Sequence, residues 1–152
     1  MIREEIKDGF CISTDKSKLD ISVIHTYLSE ESYWAKNISR EIVEKSLEGS
    51  VCFGIYHTQT QIGFARVITD MATFGYLADV FIVKEFRGRG LSKWLMQFIL
   101  RHPPLQNFRR WMLVTRDAHD LYKQFGFVPI VNPERFMRLS LFDEYPAINK
   151  KE

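Results

Sequence analysis

Two glycines, Gly88 and Gly90, stand between a β-forming run that ends at Val83 and an amphipathic helix that begins near Gly90. The first backbone N–H groups of such a helix have no partner within it, and the helix dipole adds about half a positive charge at that end. Glycine also removes the Cβ atoms that would hold a phosphate away from the main chain. The segment Arg87, Gly88, Arg89, Gly90, Leu91 and Ser92 is therefore suited to seating an anion, with Lys93 adding charge beside Arg87 and Arg89. Two common phosphate loops do not fit it. The pattern GxxxxGK[ST] is absent. GxGxxG fails because its third glycine position is Lys93, and no second βαβ half follows.

Other side chains could carry chemistry. Asp79 interrupts an otherwise apolar run, where an unpaired carboxylate is costly, so it should face a cleft, a water or a cation. Tyr122 stands beside Leu121 and Phe125; a phenol with a pKa of about 10 can donate a proton without being ionised beforehand, or it can simply pack. Tyr33 and Trp34, flanked by Glu30 and Glu31, could cradle a cationic amine or pack between helices. His119 and Glu85 are weaker candidates for a base. His25, His57 and His102 have no companions at ligand spacing, so no metal is expected. Cys11 and Cys52 form no CxxC and are expected to be buried thiols in a reducing cytoplasm.

About thirty residues past the glycines the chain reads Ala118-His119-Asp120-Leu121-Tyr122-Lys123-Gln124-Phe125-Gly126-Phe127. This segment is similar to A-x-x-L-Y-x-x-x-G-F, and Arg87, Gly90 and Ser92 fall on R-x-x-G-x-G/A. In that order the two motifs resemble the GNAT superfamily of N-acetyltransferases, and the likeness covers the chain from about residue 9 to residue 141. Ser92 departs from the usual Gly or Ala but is still small. Thr115 and Asp117 stand where many relatives have Asn, so no contact to pantetheine is carried over there.

The resemblance implies acetyl-CoA as cosubstrate, with its pyrophosphate at Arg87–Ser92, and direct attack on the thioester by a primary amine of a small molecule or a protein. It implies that main-chain groups of Phe81, Ile82 and Val83 bind pantetheine. It gives Tyr122 the task of protonating the departing sulfur and Asp79 that of accepting the amine proton, directly or through water. The loop holding Tyr33 and Trp34 would line the acceptor pocket. A different reading is a non-catalytic module that binds acyl-CoA and transfers nothing. Dimers are common in the family, so a homodimer is allowed, although nothing in the sequence selects an interface.

These residues need elements to hold them. Apolar periodicity predicts a strand at 9–13, a helix at 18–28 and a second helix that Ser39 caps and Gly49 ends. A hairpin follows at 51–57 and 61–69, then a central strand at 76–83. Leu91, Trp94, Leu95, Phe98 and Ile99 form one face of a helix that Pro103 and Pro104 stop. A strand at 110–115, a helix at 118–125, and strands at 127–131 and 136–141 complete the order, with a loosely attached tail from 143. The expected architecture is one α/β (α+β) domain over 1–152: a mixed, mostly antiparallel sheet of about six to seven strands flanked by about four helices.

Charge fits an anionic ligand. Residues 84–123 hold nine basic and three acidic side chains in a chain of net charge +2, so the positive charge is concentrated in the part that carries the glycines. No nucleic-acid motif accompanies it. The apolar runs are too short to span a bilayer, and no membrane contact is expected.

Overall fold

The computed structural model describes residues 1–147. The hairpin of β-branched and aromatic residues forms its centre, as β3 (Ser50–His57) and β4 (Thr60–Thr69). The ladder continues one way through β2 (Phe10–Ser13) to β1 (Glu4–Lys7), and the other way through β5 (Phe74–Ile82) to β6 (Arg110–Met112). Order in space therefore follows order in the chain. Every pairing is antiparallel except β5 with β6.

The sequence reading missed β1 because three of its four residues are charged. That composition suits a sheet edge, where charge discourages pairing with another chain. Asp8 (φ 51°) and Gly9 (φ 81°) connect it to β2, and two left-handed residues in a two-residue turn match the twist of the flanking strands.

Four α-helices flank the sheet among the described residues. Asp20 caps α1 (Ile21–Thr26) by accepting the Val23 N–H, and the chain widens into a π-helical turn at Tyr27–Glu31 before Ser32. Ser39 caps α2 (Arg40–Glu48) and Gly49 ends it, as its side-chain chemistry predicts. The others are α3 (Leu91–Leu100) and α4 (His119–Lys123). None of the helices is long and apolar enough to cross a membrane among the described residues.

Side chains alternate between the two faces of the sheet. Cys52 and Phe64 join Ile24, Leu28 and Val43 beneath the first two helices. Their neighbours Phe53 and Ala65 pack with Leu95, Met96 and Phe98 of α3 on the opposite side. This is the mixed, mostly antiparallel α/β sandwich that the sequence implied.

The two final strands do not form. Pro129 removes a donor within 127–131, Asn132 turns left-handed (φ 59°), and Pro133–Arg135 makes a short 3₁₀ turn. Residues 136–141 do alternate in polarity, but a strand needs a neighbour, and none pairs with them among the described residues. Farther on, the Tyr145 carbonyl accepts a hydrogen bond from Asn37 Nδ2 at 3.4 Å, and Tyr145 packs against the cluster beneath α1 and α2. Residues 148–152 of the expected tail lie outside the described residues.

Candidate active site

The pairing of β5 with β6 stops after three residues, at Tyr76 opposite Met112, while β5 runs on to Ile82. Beyond that point the two backbones diverge. A cavity of about 530 Å³ opens between them, lined by residues 76–80 on one wall and 113–118 on the other. Tyr122 of α4 lines it too, as do Tyr33 and Trp34 from the segment between the first two helices. Three candidate regions far apart in the chain thus meet in one opening.

A β-bulge shapes the first wall. Between the pairs Phe64 with Phe81 and Arg66 with Ala78, β4 advances two residues while β5 advances three. Asp79 sits in this irregularity with φ 53°, a conformation that Asp tolerates better than most side chains. Its carboxylate accepts a hydrogen bond from Trp34 Nε1 at 2.8 Å and one from Arg66 Nε at 2.6 Å. Arg66 in turn donates from Nη1 to Ser50 Oγ at 3.0 Å. The lone charge that looked costly on β5 is therefore compensated by a largely buried ion pair.

Arg66 was not singled out in the sequence. The available signal was a second lone charge, of opposite sign, in the neighbouring apolar strand of an antiparallel pair. Asp79 thus accepts from two donors, Trp34 and Arg66, while it still lines the cavity.

Tyr33 and Trp34 reach across the opening. Trp34 binds the first wall through Asp79, and Tyr33 Oη accepts the Arg116 N–H of the second at 2.8 Å. Their rings meet edge to face at 5.1 Å. The Arg116 guanidinium lies 3.8 Å from the Tyr33 ring centroid, so one face of that ring already carries a cation. Arg116 is a second residue that the sequence reading passed over.

The glycine segment follows β5. Arg87 donates from Nε to the Ile82 carbonyl at 2.9 Å and from Nη2 to Tyr27 Oη at 2.8 Å. The Tyr27 ring stacks on Phe81 at 3.9 Å. Arg87 therefore ties the loop to the end of the strand. Gly88 and Gly90 both have φ 77°, and no atom lies within 4 Å of where a Cβ would stand at either. The backbone conformation is what calls for glycine there, and the space beside it is open.

The N–H groups of residues 88–93 find no acceptor among the described residues; the first in-register helical bond is Trp94 N–H to the Gly90 carbonyl at 3.1 Å. Gly90 cannot cap α3 with a side chain. Arg89 stacks over Phe86 at 5.3 Å, and Ser92 is half-buried. A row of unpaired donors at a helix start has the chemistry that an anion needs.

Of Phe81, Ile82 and Val83, the first two side chains are buried and the third half-buried. Val83 donates its N–H to the Ile62 carbonyl at 2.9 Å, which makes that pair hydrogen-bonded. The adjacent pair, Ile82 with Gly63, is then the non-bonded kind, and the main-chain groups of Ile82 point away from β4. Ile82 is thus the residue of the three whose backbone turns toward the widening gap.

Tyr122 is buried, its ring set edge-on to Phe127 at 5.9 Å. Its hydroxyl has no hydrogen-bond partner among the described residues. Burial, with smaller contributions from Tyr33 and Asp117, pushes its phenol up to about 12, so it stays protonated at neutral pH. No cluster of three or more His, Cys, Asp or Glu side chains suited to a metal occurs among the described residues.

Residues 18–127 match the acetyltransferase (GNAT) family. A Gibberella zeae protein assigned as an acetyltransferase is 32% identical over 138 aligned residues, spanning 76% of this chain and 77% of that protein. A crystal structure from Xanthomonas campestris pv. campestris, assigned to the same family, is 47% identical, with a TM-score of 0.85 over 87% of this chain and 93% of that one. A GNAT family acetyltransferase from Elizabethkingia anophelis, solved with acetyl-CoA bound, is 14% identical with a TM-score of 0.60, covering 80% of this chain and 78% of that one; this is a likeness of fold.

Proposed function

This chain belongs to the acetyltransferase (GNAT) family and is an acyltransferase enzyme, and from that premise we propose that it moves an acetyl group from acetyl-CoA to a primary amine by direct attack in a ternary complex. The observation that carries the proposal is the row of six unpaired N–H groups at residues 88–93, standing at the end of a splayed strand pair whose cavity also holds Tyr122.

The residues divide the work. The N–H groups of Gly88, Arg89, Gly90, Leu91 and Ser92 hold the pyrophosphate, and Arg87 fixes their loop to the strand. The outward N–H of Ile82, whose carbonyl already accepts from Arg87, hydrogen-bonds the pantetheine arm, which runs into the cavity. The cosubstrate supplies an activated acetyl group as a thioester.

Asp79, held by Arg66 and Trp34, accepts a hydrogen bond from the amine or from a water that carries the amine proton away. Tyr122 gives its phenolic proton to the sulfur as the carbon–sulfur bond breaks, then regains a proton from solvent. Tyr33 and Trp34 wall the acceptor side and exclude water. The acceptor is an amine of a small molecule or of a protein. We place the enzyme in the cytoplasm, where the free thiols of Cys11 and Cys52 stay reduced.

The test mixes the protein with acetyl-CoA and panels of polyamines, aminoglycosides, amino acids and lysine peptides while free thiol is followed. Thiol release that depends on one amine class is expected. Tight binding of acetyl-CoA with no release on any panel member would instead favour a module that binds without transferring. Absence of binding would remove both readings.

A further inference from the structure

The cavity between β5 and β6 carries its own charge balance. Its formally charged lining side chains are Arg66, Asp79, Arg116 and Asp117. They stand as two opposite pairs: Arg66 Nε meets the Asp79 carboxylate at 2.6 Å, and Arg116 Nη2 lies 3.8 Å from that of Asp117. A polyamine finds no carboxylate there that lacks a cation, and burying a further positive charge without a counter-charge is costly. A ligand that brings one charge of each sign suits such a lining.

The polar atoms left over lie on one face of the sheet. Arg66 uses Nε for Asp79 and Nη1 for Ser50, while its Nη2 makes no hydrogen bond among the described residues. The side chain is only 15% exposed, so that donor is held in place. Tyr76 pairs with Ile68 and Arg66 with Ala78, which puts Tyr76 and Arg66 at diagonal positions on the same face, within reach of each other's ligands. The Tyr76 hydroxyl also has no partner among the described residues, and the residue lines the same cavity. Burial, with a smaller contribution from Asp79, pushes its phenol up, so it remains a proton donor at neutral pH.

We propose that the acceptor is a small α-amino acid, bound with its amine toward Asp79 and its carboxylate between Arg66 Nη2 and the Tyr76 hydroxyl. The class follows from spacing. Nε and Nη2 belong to one planar guanidinium, and Nε already touches Asp79, so the two recognition points are only a few atoms apart. An amine and a carboxylate on one carbon match that spacing. The side-chain amine of a lysine within a protein has no carboxylate beside it. Size agrees, because Trp34 and Tyr33 fasten one segment to both walls, and the cavity of about 530 Å³ must also hold the thioester end of the cosubstrate. Arg66 thereby serves two carboxylates, and Tyr76 sets specificity without touching the reacting atoms. The inference rests on the acetyl transfer proposed above and narrows its acceptor.

Two measurements on the full chain test it. The first follows thiol release with α-amino acids, their α-carboxamides, their decarboxylated amines, polyamines and lysine peptides. The best amino acid should exceed its own amide and its own decarboxylated amine by about 10²-fold in kcat/KM, the worth of one charged and one neutral hydrogen bond together. The amide is a weaker base than the amino acid and the decarboxylated amine a stronger one, so basicity cannot produce both differences. Tyr76→Phe should cut the amino acid's advantage about 3–10-fold, through KM. An advantage below about threefold in the wild-type chain, a preference for polyamines or lysine peptides, or a Tyr76→Phe loss shared equally by amino acid, amide and amine overturns the inference while leaving acetyl transfer in place. The second measurement is calorimetric titration of the same compounds into protein saturated with CoA. Where no thiol is released, this titration decides: tighter binding of the amino acid keeps the ligand class and removes the transfer, and equal or absent binding removes both.

Discussion

Replacing Tyr122 with Phe removes one oxygen and leaves the ring in place. That hydroxyl has no hydrogen-bond partner among the described residues, so its loss should change folding stability by about 0.5 kcal/mol or less. Acetyl-CoA affinity should hold, because the grip proposed for the cosubstrate lies at residues 88–93, away from this hydroxyl. A general acid typically contributes about 10²–10⁴-fold to a rate. At about 1.36 kcal/mol per factor of ten, the variant should lose roughly 2.7–5.5 kcal/mol of transition-state stabilisation, all of it in kcat.

The pH behaviour follows from the same burial. With its pKa pushed up to about 12, Tyr122 stays protonated in the folded enzyme well above neutral pH, so it should impose no alkaline limb on turnover below pH about 10. Stability linked to the neutral phenol is fully present below the unfolded value of about 10 and is lost as pH rises toward about 12, because the folded state holds the proton longer. The assay is thiol release at saturating acetyl-CoA and amine, paired with calorimetric measurement of cosubstrate binding. A Tyr122→Phe enzyme that retains kcat within twofold, or one whose loss lies wholly in affinity or melting temperature, would refute the assignment.

Other substitutions probe the frame around the site. Arg66→Leu strands the Asp79 carboxylate in a largely buried position and should cost about 3–5 kcal/mol in urea unfolding; a cost under about 1 kcal/mol would show the pair to be well solvated. Gly90→Ala places a Cβ on a left-handed residue and should destabilise by about 1–2 kcal/mol with a parallel drop in acetyl-CoA affinity, read by melting with and without cosubstrate. An unchanged melt would remove the conformational reason for glycine there. Burial pushes the Cys52 thiol up to about 11, so iodoacetamide at pH 8 should leave it unmodified in the native protein and label it on unfolding, as mass spectrometry of peptides would record.

The sequence made the local devices legible. Ser39, Gly49 and the face from Leu91 to Ile99 act through neighbours within a few positions, and their helices lie where that chemistry puts them. The glycine segment was equally readable, because Gly88 and Gly90 need only a strand before them and a helix after. What stayed hidden depends on separation in the chain. Nothing near residue 34 announces that Trp34 will bind Asp79, 45 positions away, or that Arg87 will reach back to Tyr27.

The bulge that turns Asp79 left-handed is a property of register between two strands, which periodicity does not report. The final strands show the converse. Residues 136–141 carry a sound alternating pattern, yet pattern supplies only one side of a ladder, and the other side is not met within the described chain.

The central claim is that the N–H groups of residues 88–93 hold acetyl-CoA, and amide NMR reads those groups one by one. Titration with acetyl-CoA should shift the Gly88, Arg89, Gly90, Leu91, Ser92 and Lys93 resonances downfield together, saturating at the stoichiometry of one per chain, with smaller changes at Ile82 and around the cavity. Saturable binding that leaves those six amides unmoved would contradict the account.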